Sequence, residues 1–169
     1  MVERYWDGIR NRVYQLLARV SPGATTYRVR LHRARGVKIG ANVWIGYDVV
    51  LETSRPHLIT IEDGVSIGMR ATVIAHFRET QGVRIARDAF IGPGVVILPN
   101  VVVGEGAVVT AGSVVSKSIP PMTVAQGNPA VPIAKCGIRL TPTVALKEFS
   151  RQLKPLGRRI DRTVDREPE

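Results

Sequence analysis

The sequence contains few of the residues that build a metal cage, an aromatic pocket or a membrane span. Its single cysteine, Cys136, excludes an internal disulfide and a cysteine-ligated metal site. Aromatic residues make up 5% of the 169 residues and apolar residues 44%, so aliphatic side chains must fill the core. No apolar run reaches the roughly 20 residues that span a bilayer, and the N-terminus lacks the apolar stretch of a signal peptide. These features predict a cytoplasmic protein.

Acidic residues are scarce relative to basic ones. The chain has 14 aspartates and glutamates against 24 lysines and arginines, which gives a formal net charge of +10. Such an excess predicts an anionic partner, which can be nucleic acid, a membrane surface or a phosphorylated ligand. No aromatic residues that could stack on bases stand among the basic ones, and this disfavours nucleic acid.

Aliphatic residues recur at every sixth position through the middle of the chain. The series has one non-aliphatic member, Glu79, and runs Ile39, Ile45, Leu51 and then Ile61, Ile67, Val73, Glu79, Ile85, Ile91, Ile97, Val103, Val109, Val115. An α-helix would require a spacing near 3.6 and a half-buried strand strict alternation, so the unit is a short strand followed by a corner. Three units form a triangular coil, and successive coils stack about 4.8 Å apart.

Glycines and one irregular stretch define the corners of this predicted coil. The glycines fall either directly after the aliphatic residue or three places after it, where a positive φ costs glycine nothing. The period breaks between Leu51 and Ile61, so we expect an irregular corner or a small protruding loop there. The next coil is predicted to span residues 61–78.

Segments outside the repeat predict three appendages, which are an N-terminal helix, a basic connection into the first coil and a C-terminal helix. Residues 4–20 combine arginines with apolar residues at helical spacing, which predicts a basic amphipathic helix with the apolar set Trp6, Ile9, Val13, Leu16, Leu17 and Val20. A short helix begun by Thr141 and Pro142 is expected after the repeat, and residues 158–169 are expected to be disordered. We therefore divide the chain into an N-terminal helix with its connection (1–36), a β-helix domain (37–135) and a C-terminal helix with a tail (136–169).

The stretch from Val83 to Ile133 resembles the C-terminal coils of the hexapeptide-repeat acetyltransferases. Its most specific pieces are Ala-Gly-Ser-Val-Val-Ser-Lys-Ser-Ile-Pro-Pro at 111–121 and Gly-Asn-Pro-Ala at 127–130, and the match covers roughly residues 37–135. The family includes maltose, galactoside, nodulation-factor and xenobiotic acetyltransferases, and the layout is most similar to the enzymes of capsule and exopolysaccharide assembly. The resemblance implies an all-β fold, a left-handed parallel β-helix with an N-terminal amphipathic helix and a short C-terminal helix.

The resemblance also implies an activity, the transfer of an acetyl group from acetyl-CoA to a saccharide hydroxyl without a metal. Family members are homotrimers with active sites between neighbouring prisms, and they use one histidine as general base. His76 matches that position, and an imidazole, whose ordinary pKa is about 6.5, can take the proton of the attacking hydroxyl. A lone histidine is more often an ordinary surface residue, but the place of His76 one coil before the CoA-lining segment favours catalysis. His57 and His32 are read as structural.

The CoA-contacting positions of the family fall on small residues and one lysine, namely Ala111, Gly112, Ser116 and Lys117. Small residues let the pantetheine arm lie against the backbone, and Lys117 can meet a phosphate. For Gly112 the role of a plain corner glycine is equally open.

Two positions depart from the family pattern. The family's oxyanion donor often comes from the position of Pro93, which has no N–H, so Gly94 or a neighbouring chain would have to supply it. Several relatives carry arginine after the Gly-Asn-Pro-Ala turn, where this chain has Val131. Phosphate binding is then expected from Lys117, Lys135 or the arginines of the tail.

Other functions stay open at this point. The same prism could be a non-catalytic trimeric scaffold, or an acetyltransferase for an acceptor that is not a sugar. A zinc hydratase of the γ-carbonic-anhydrase kind is disfavoured, because it needs three histidines that converge on the metal. The chain has three histidines in total, and one of them, His32, precedes the repeat. The basic N-terminal helix could lie on an anionic membrane, at the inner membrane surface near a lipid-linked saccharide, or pack against the prism of the same trimer.

Overall fold

The chain folds into a parallel β-helix with helices at one end and a hairpin at the other. The computed structural model describes residues 5–76 and 81–157. Sheet A contains β1 (Lys38–Ile39), β4 (Ile59–Ile61), β7 (Val83–Ile85) and β10 (Val102–Val103). Sheet B starts with β2 (Trp44–Ile45), β5 (Ser66–Ile67), β8 (Phe90–Ile91) and β11 (Val108–Val109). Sheet C contains β3 (Val50–Leu51), β6 (Thr72–Val73), β9 (Val96–Ile97) and β12 (Val114–Val115).

The six-residue series forms the core of this prism. Ile45 pairs with Ile67 and Ile67 with Ile91 in parallel register, so identical repeat positions lie above one another. The small or β-branched residue four places later, such as Val65 or Ala107, is buried as well. Each aliphatic side chain buried in this way contributes about 1.5–3 kcal/mol. The predicted stack of short strands is confirmed.

One coil is longer than the repeat predicts. Ile61 pairs with Ile85, 24 positions later, whereas Ile85 pairs with Val103, 18 positions later. The coil therefore holds six extra residues after β6, and the boundary predicted at residue 78 is wrong. The excess equals one repeat, so the six-residue period passes through it unchanged. Glu79, the one non-aliphatic member of the series, lies outside the described residues. The irregular corner predicted after Leu51 is confirmed and contains a 3-10 turn, Pro56–Leu58.

Two glycine phases have two different physical causes. The glycines three places after the aliphatic residue have a positive φ, as predicted, and five residues other than glycine adopt a positive φ at the same position, namely Asn42, Asp48, Arg70, Asp88 and Asn100. The phase directly after the aliphatic residue does not, so the prediction was wrong for it. A Cβ on Gly68 would stand 2.5 Å from the backbone nitrogen of Pro93, and one on Gly92 would stand 2.6 Å from that of Ala111. These glycines let the next coil come close.

The C-terminal segment extends sheet B and covers its outer face. β13 (Thr123–Gly127) pairs in parallel with β11, and β14 (Ala130–Cys136) and β15 (Leu153–Pro155) follow in antiparallel order. The short helix α3 (Leu146–Arg151) buries Phe149 against this face. It begins later than predicted, because the Thr141 hydroxyl lies 3.0 Å from that of Thr143 within a turn and does not cap a helix. The predicted disorder of 158–169 lies outside the described residues.

Two helices cover the other end of the prism. The predicted N-terminal helix is confirmed as α1 (Tyr5–Val20), and α2 (Tyr27–Ala34) follows it. The face of α1 that packs inward is small and polar, and consists of Gly8, Asn11, Gln15 and Ala18. The six apolar residues that the sequence assigns to one face are exposed. No helix within residues 5–76 and 81–157 is long and apolar enough to cross a membrane.

Candidate active site

The prism has three edges, and two of them carry the candidate site residues. Each coil passes through sheets A, B and C in turn, so the corner after a sheet B strand lies on what we name the BC edge. The corner after a sheet C strand lies on the CA edge. The third edge, AB, follows the strands of sheet A. Each edge is a column of corners stacked at the strand spacing of about 4.8 Å.

A histidine and a glutamate from successive coils meet on the CA edge. Glu52 follows β3 directly, and His76 follows β6 by three residues. Because Leu51 pairs with Val73, these two corners are stacked. The imidazole Nδ1 of His76 lies 2.5 Å from Oε2 of Glu52. The side chain of Glu52 is 2% exposed and that of His76 is 43% exposed, so a buried carboxylate holds an accessible imidazole.

The Glu52 carboxylate is ionised and strongly held. Burial by itself raises the pKa of Glu52, but the His76 ring and the backbone N–H groups of Ser54 and Ala75 donate hydrogen bonds to it, and the net result is a lowered pKa. The Ser54 amide donates at 2.8 Å, and the amides of Ala75 and His76 donate at 3.1 and 3.2 Å. These donors offset the cost of burying the charge.

The charge of Glu52 fixes the tautomer of His76. An ionised carboxylate can only accept hydrogen bonds, so Nδ1 must carry the hydrogen. In the neutral ring Nε2 then keeps a lone pair, which can accept a proton from a substrate hydroxyl. This is the arrangement that a general base requires.

A buried arginine, Arg35, holds the backbone that carries Glu52. Arg35 donates to the backbone carbonyl of Leu51 at 2.9 Å and also to the carbonyl of Glu52. Its other terminal nitrogen donates to the side-chain oxygen of Gln15 on α1. Burial lowers the pKa of Arg35 to about 10, partly offset by the charge of Glu52, so the group stays positive at neutral pH. The N-terminal helices are therefore connected to the corner that carries the glutamate.

The predicted CoA-contacting residues divide between the two edges. Ser116 and Lys117 follow β12 and lie on the CA edge, two coils above His76, which is about 10 Å along the prism. Both are exposed. Pro93, Gly94, Ala111 and Gly112 lie at the corners of the BC edge, on the other side of sheet C. One protomer therefore does not bring the two groups together.

The amides of the BC edge clarify the question raised by Pro93. The N–H of Gly94 donates to the carbonyl of Met69 at 2.9 Å and is engaged within the prism. In the next coil the N–H of Gly112 donates in the same way to the carbonyl of Pro93 at 2.9 Å. The N–H of Ala111 has no acceptor among the residues that the structure describes. Ala111 is therefore one donor that this edge can offer to a ligand, and Met69 and Tyr47 hold the same corner position in the lower coils, where their amides also have no acceptor among the described residues.

Two further predicted elements lie at different ends of sheet B. The turn at 127–130 stands above the Ala111 corner, where the N–H of Gly127 donates to the hydroxyl of Ser113 at 3.1 Å. Lys135 lies on β14 beside the AB edge, and its ammonium donates to the hydroxyl of Thr123 at 2.9 Å. Lys135 is therefore remote from both groups within one protomer. In the described part of the chain, no cluster of three or more metal-ligating side chains occurs.

Comparison with known proteins assigns the chain to a family. The model of bacterial transferase hexapeptides, which has six repeats, matches residues 82–117. Nodulation protein L of Rhizobium meliloti is 34% identical over 129 residues, and the alignment covers 68% of this chain and 68% of that protein. The chain belongs to the hexapeptide-repeat transferase family. Serine acetyltransferase of Salmonella typhimurium is 37% identical over 120 residues, which cover 68% of this chain and 41% of that protein.

The similarity extends to solved structures. A hexapeptide-repeat-containing acetyltransferase of Vibrio cholerae is 25% identical in sequence and has a TM-score of 0.63. The alignment covers 77% of this chain and 90% of that one. A second structure of that protein holds acetyl-CoA. The likeness confirms the left-handed parallel β-helix. The chain spans 43% and 41% of the lengths of two of the curated relatives it matches.

Sequence reasoning on this hexapeptide-repeat transferase missed Glu52 and Arg35. Glu52 opens the stretch in which the period breaks, so the repeat assigns it no position. One signal was present, because Glu52 is a charged residue directly after a strand of the coil below His76. Arg35 precedes the repeat in a segment with many arginines, and nothing in the sequence distinguishes it from the exposed ones.

Proposed function

We propose that the chain is an O-acetyltransferase that moves the acetyl group of acetyl-CoA to a saccharide hydroxyl. The observation that carries the proposal is the contact between the buried Glu52 carboxylate and the accessible His76 imidazole. Acetyl-CoA as donor is supported by the complex of the Vibrio cholerae relative. The resemblance to enzymes of capsule and exopolysaccharide assembly supports a saccharide as acceptor.

In the proposed reaction, His76 Nε2 takes the proton of the acceptor hydroxyl as the oxygen attacks the thioester carbonyl carbon. Glu52 stabilises the imidazolium that forms and keeps the ring oriented. The carbonyl oxygen becomes an oxyanion, and in this proposal the Ala111 amide of the neighbouring subunit donates a hydrogen bond to it. When this intermediate collapses, the carbon–sulfur bond breaks, and the CoA sulfur leaves with the proton that His76 returns.

The proposal includes a homotrimer with its sites between subunits. The base lies on the CA edge, and the corners proposed for CoA lie on the BC edge of the same prism. If the CA edge of one protomer faces the BC edge of the next, both groups line one groove. Closed three-fold assembly satisfies every such contact at once. A stable monomer in sedimentation velocity runs would contradict this arrangement.

The acceptor class is tested by direct assay. Purified protein is incubated with labelled acetyl-CoA and either a panel of mono- and oligosaccharides or free serine, and products are identified by mass spectrometry. We expect an O-acetylated saccharide. Serine is included because a serine acetyltransferase is among the relatives. Acetylserine without any acetylated sugar would show that serine, and not a saccharide, is the acceptor. Release of CoA with no acetylated acceptor would contradict acetyl transfer.

Three substitutions separate the proposed roles. His76→Ala should lower kcat by about 10²–10⁴-fold, the usual contribution of a general base, and leave CoA binding nearly intact. Glu52→Gln should lower kcat less and shift its pH profile, since the neutral amide no longer stabilises the imidazolium. Lys117→Ala should raise the KM for acetyl-CoA with a smaller effect on kcat.

A matched histidine serves as the control for these assays. His57 is exposed in the 3-10 turn of the irregular corner, so His57→Ala should keep the activity of the parent protein. Steady-state kinetics on all four variants measure these effects. Parent-level turnover by the His76→Ala variant would exclude His76 as the base.

A further inference from the structure

The helix α1 is amphipathic in the opposite sense from most surface helices of globular proteins. Its polar side packs on the prism and its apolar side faces solvent. Gln15 donates to the carbonyl of Val49 at 2.9 Å, and Arg19 contacts the carboxylate of Asp48 at 2.6 Å. These contacts fix the rotation of the helix. Turning it to bury the leucines would take Gln15 away from the buried Val49 carbonyl and the buried Arg35 guanidinium, at a cost of about 1–3 kcal/mol for each group left unsatisfied.

The exposed apolar side is large for one short helix. Leu16 is 61% and Val20 70% exposed, and the complete set is Trp6, Ile9, Val13, Leu16, Leu17 and Val20. At 100° per residue these side chains lie within one half of the helix, opposite Asn11 and Gln15. A continuous apolar surface of this kind marks a contact with another phase or partner.

Basic residues border this surface and dominate the whole end of the molecule. Arg12 lies at one boundary of the apolar side and Arg10 at the other, and both are exposed. From Gly8 to Tyr47 the sequence has no aspartate or glutamate and eight lysines and arginines, which is eight of the net ten positive charges. Arg30, Arg33 and Lys38 in this range are exposed as well.

We propose that α1 docks the protein on an anionic lipid bilayer, with the apolar side in the headgroup and acyl boundary and the arginines at the phosphates. A helix that lies in the interface requires this combination of an apolar face and basic flanks. End-to-end contact with a second copy of this chain fits the surface poorly, because two such ends would bring eight positive charges against eight. The inference does not depend on acetyl transfer.

Flotation with lipid vesicles tests the proposal. The full-length protein should float with vesicles of phosphatidylcholine and phosphatidylglycerol, much less with phosphatidylcholine alone, and salt should weaken the binding. Leu16→Glu should lower the partition coefficient at least about tenfold, because a buried leucine is lost and a charge is added. The matched control is Leu146→Glu on α3, where the parent leucine is 70% exposed, and it should bind like the parent.

The charge and the depth of insertion are tested separately. Arg12→Glu should reduce flotation several-fold, whereas Arg151→Glu on α3 should not. The chain has two tryptophans, so Trp44→Phe leaves Trp6 as the only one, and its emission should shift to the blue on anionic vesicles. Equal flotation of the parent and Leu16→Glu proteins would overturn the proposal. So would a Leu16→Glu protein that sediments as a smaller assembly than the parent in the absence of vesicles, since a second copy would then cover α1.

Discussion

At the scale of single residues, a buried polar layer joins the N-terminal helices to the first coil. His32 on α2 is fully buried, and its Nδ1 lies 3.3 Å from a terminal nitrogen of Arg35. Nε2 of His32 has no hydrogen-bond partner among the described residues. Burial, and next the charge of Arg35, lower the pKa of His32 from 6.5 to about 3. The ring is therefore neutral in the folded protein.

This residue should give the protein a distinctive acid sensitivity. Below pH 6.5 the unfolded chain binds a proton at His32 and the folded protein does not, until the pH approaches 3. Stability should therefore fall as the pH falls through this window, by up to about 1.4 kcal/mol per pH unit from this group. Above pH 6.5 His32 contributes no pH dependence.

Urea denaturation at several pH values between 6.5 and 5 measures the effect. In this range the contribution of Glu52 is still complete, because a carboxyl with a lowered pKa loses its stabilisation only below the ordinary value of about 4.3. His32→Phe should reduce the slope of the free energy of unfolding against pH by the amount that corresponds to about one proton. His57→Phe, a control at an exposed histidine, should leave the slope unchanged. An unchanged slope in the His32→Phe protein would contradict a neutral buried ring.

The candidate base could be predicted from the sequence, whereas its partner could not. His76 was found because the surrounding repeats resemble those of a known family. Glu52 stands 24 positions earlier, and its proximity depends on how the irregular corner closes before β4. A loop of this kind follows no period, so only the folded chain shows that the two corners are stacked.

At the scale of elements, the corners show how a six-residue period specifies a prism. One glycine position is required by close packing of coils and the other by a positive φ, although both appear alike in the sequence. The same period also conceals the six extra residues after β6. A pattern of strands therefore predicts the sheets and their inward residues, but it does not predict how many residues each coil contains.

Two glycine substitutions distinguish these roles. Gly92→Ala should lower the free energy of unfolding by about 3 kcal/mol or more, the upper end of the usual cost of overpacking a core. The reason is that its Cβ would stand 2.6 Å from the Ala111 nitrogen. Gly112→Ala meets no atom within 4 Å and has a φ of 69°, so it should cost only about 1–2 kcal/mol.

The space beside Gly112 also bears on function. A methyl group there would point into the open region proposed for the pantetheine arm, so Gly112→Ala should raise the KM for acetyl-CoA more than its small loss of stability explains. Chemical denaturation and steady-state kinetics give the two quantities. Equal losses of stability in the Gly92 and Gly112 variants would contradict the distinction between the two phases.

At the scale of the whole molecule, sheet C separates two half-sites. His76, Glu52 and Lys117 lie on one side of it, and the Ala111 corner lies on the other. The sequence predicted residues on both edges but not their separation, because the edge on which a corner falls depends on the number of residues in each coil. The separation makes the assembly part of the proposed chemistry and leads to a quantitative test.

Mixed trimers should recover activity from two variants that are each inactive alone. His76→Ala removes the base on the CA edge, and Ala111→Trp fills the groove on the BC edge, so each variant alone should be inactive. In trimers formed from equal amounts of both, a site between subunits is intact when one chain supplies His76 and its neighbour supplies Ala111. Each condition holds with a probability of one half, so about one quarter of the parent activity should return.

The experiment requires co-expression of the two variants with different affinity tags and sequential purification, so that only mixed trimers are assayed. Selecting mixed trimers raises the expected recovery to about one third, because every trimer with two chains of one kind and one of the other has one intact site out of three. A mixture of Glu52→Gln and His76→Ala chains is the control. Both changes lie on the same edge, so no intact site can form. The activity should therefore stay at the level of the two variants assayed separately. If the first mixture also stayed inactive, each site would have to be built within a single prism.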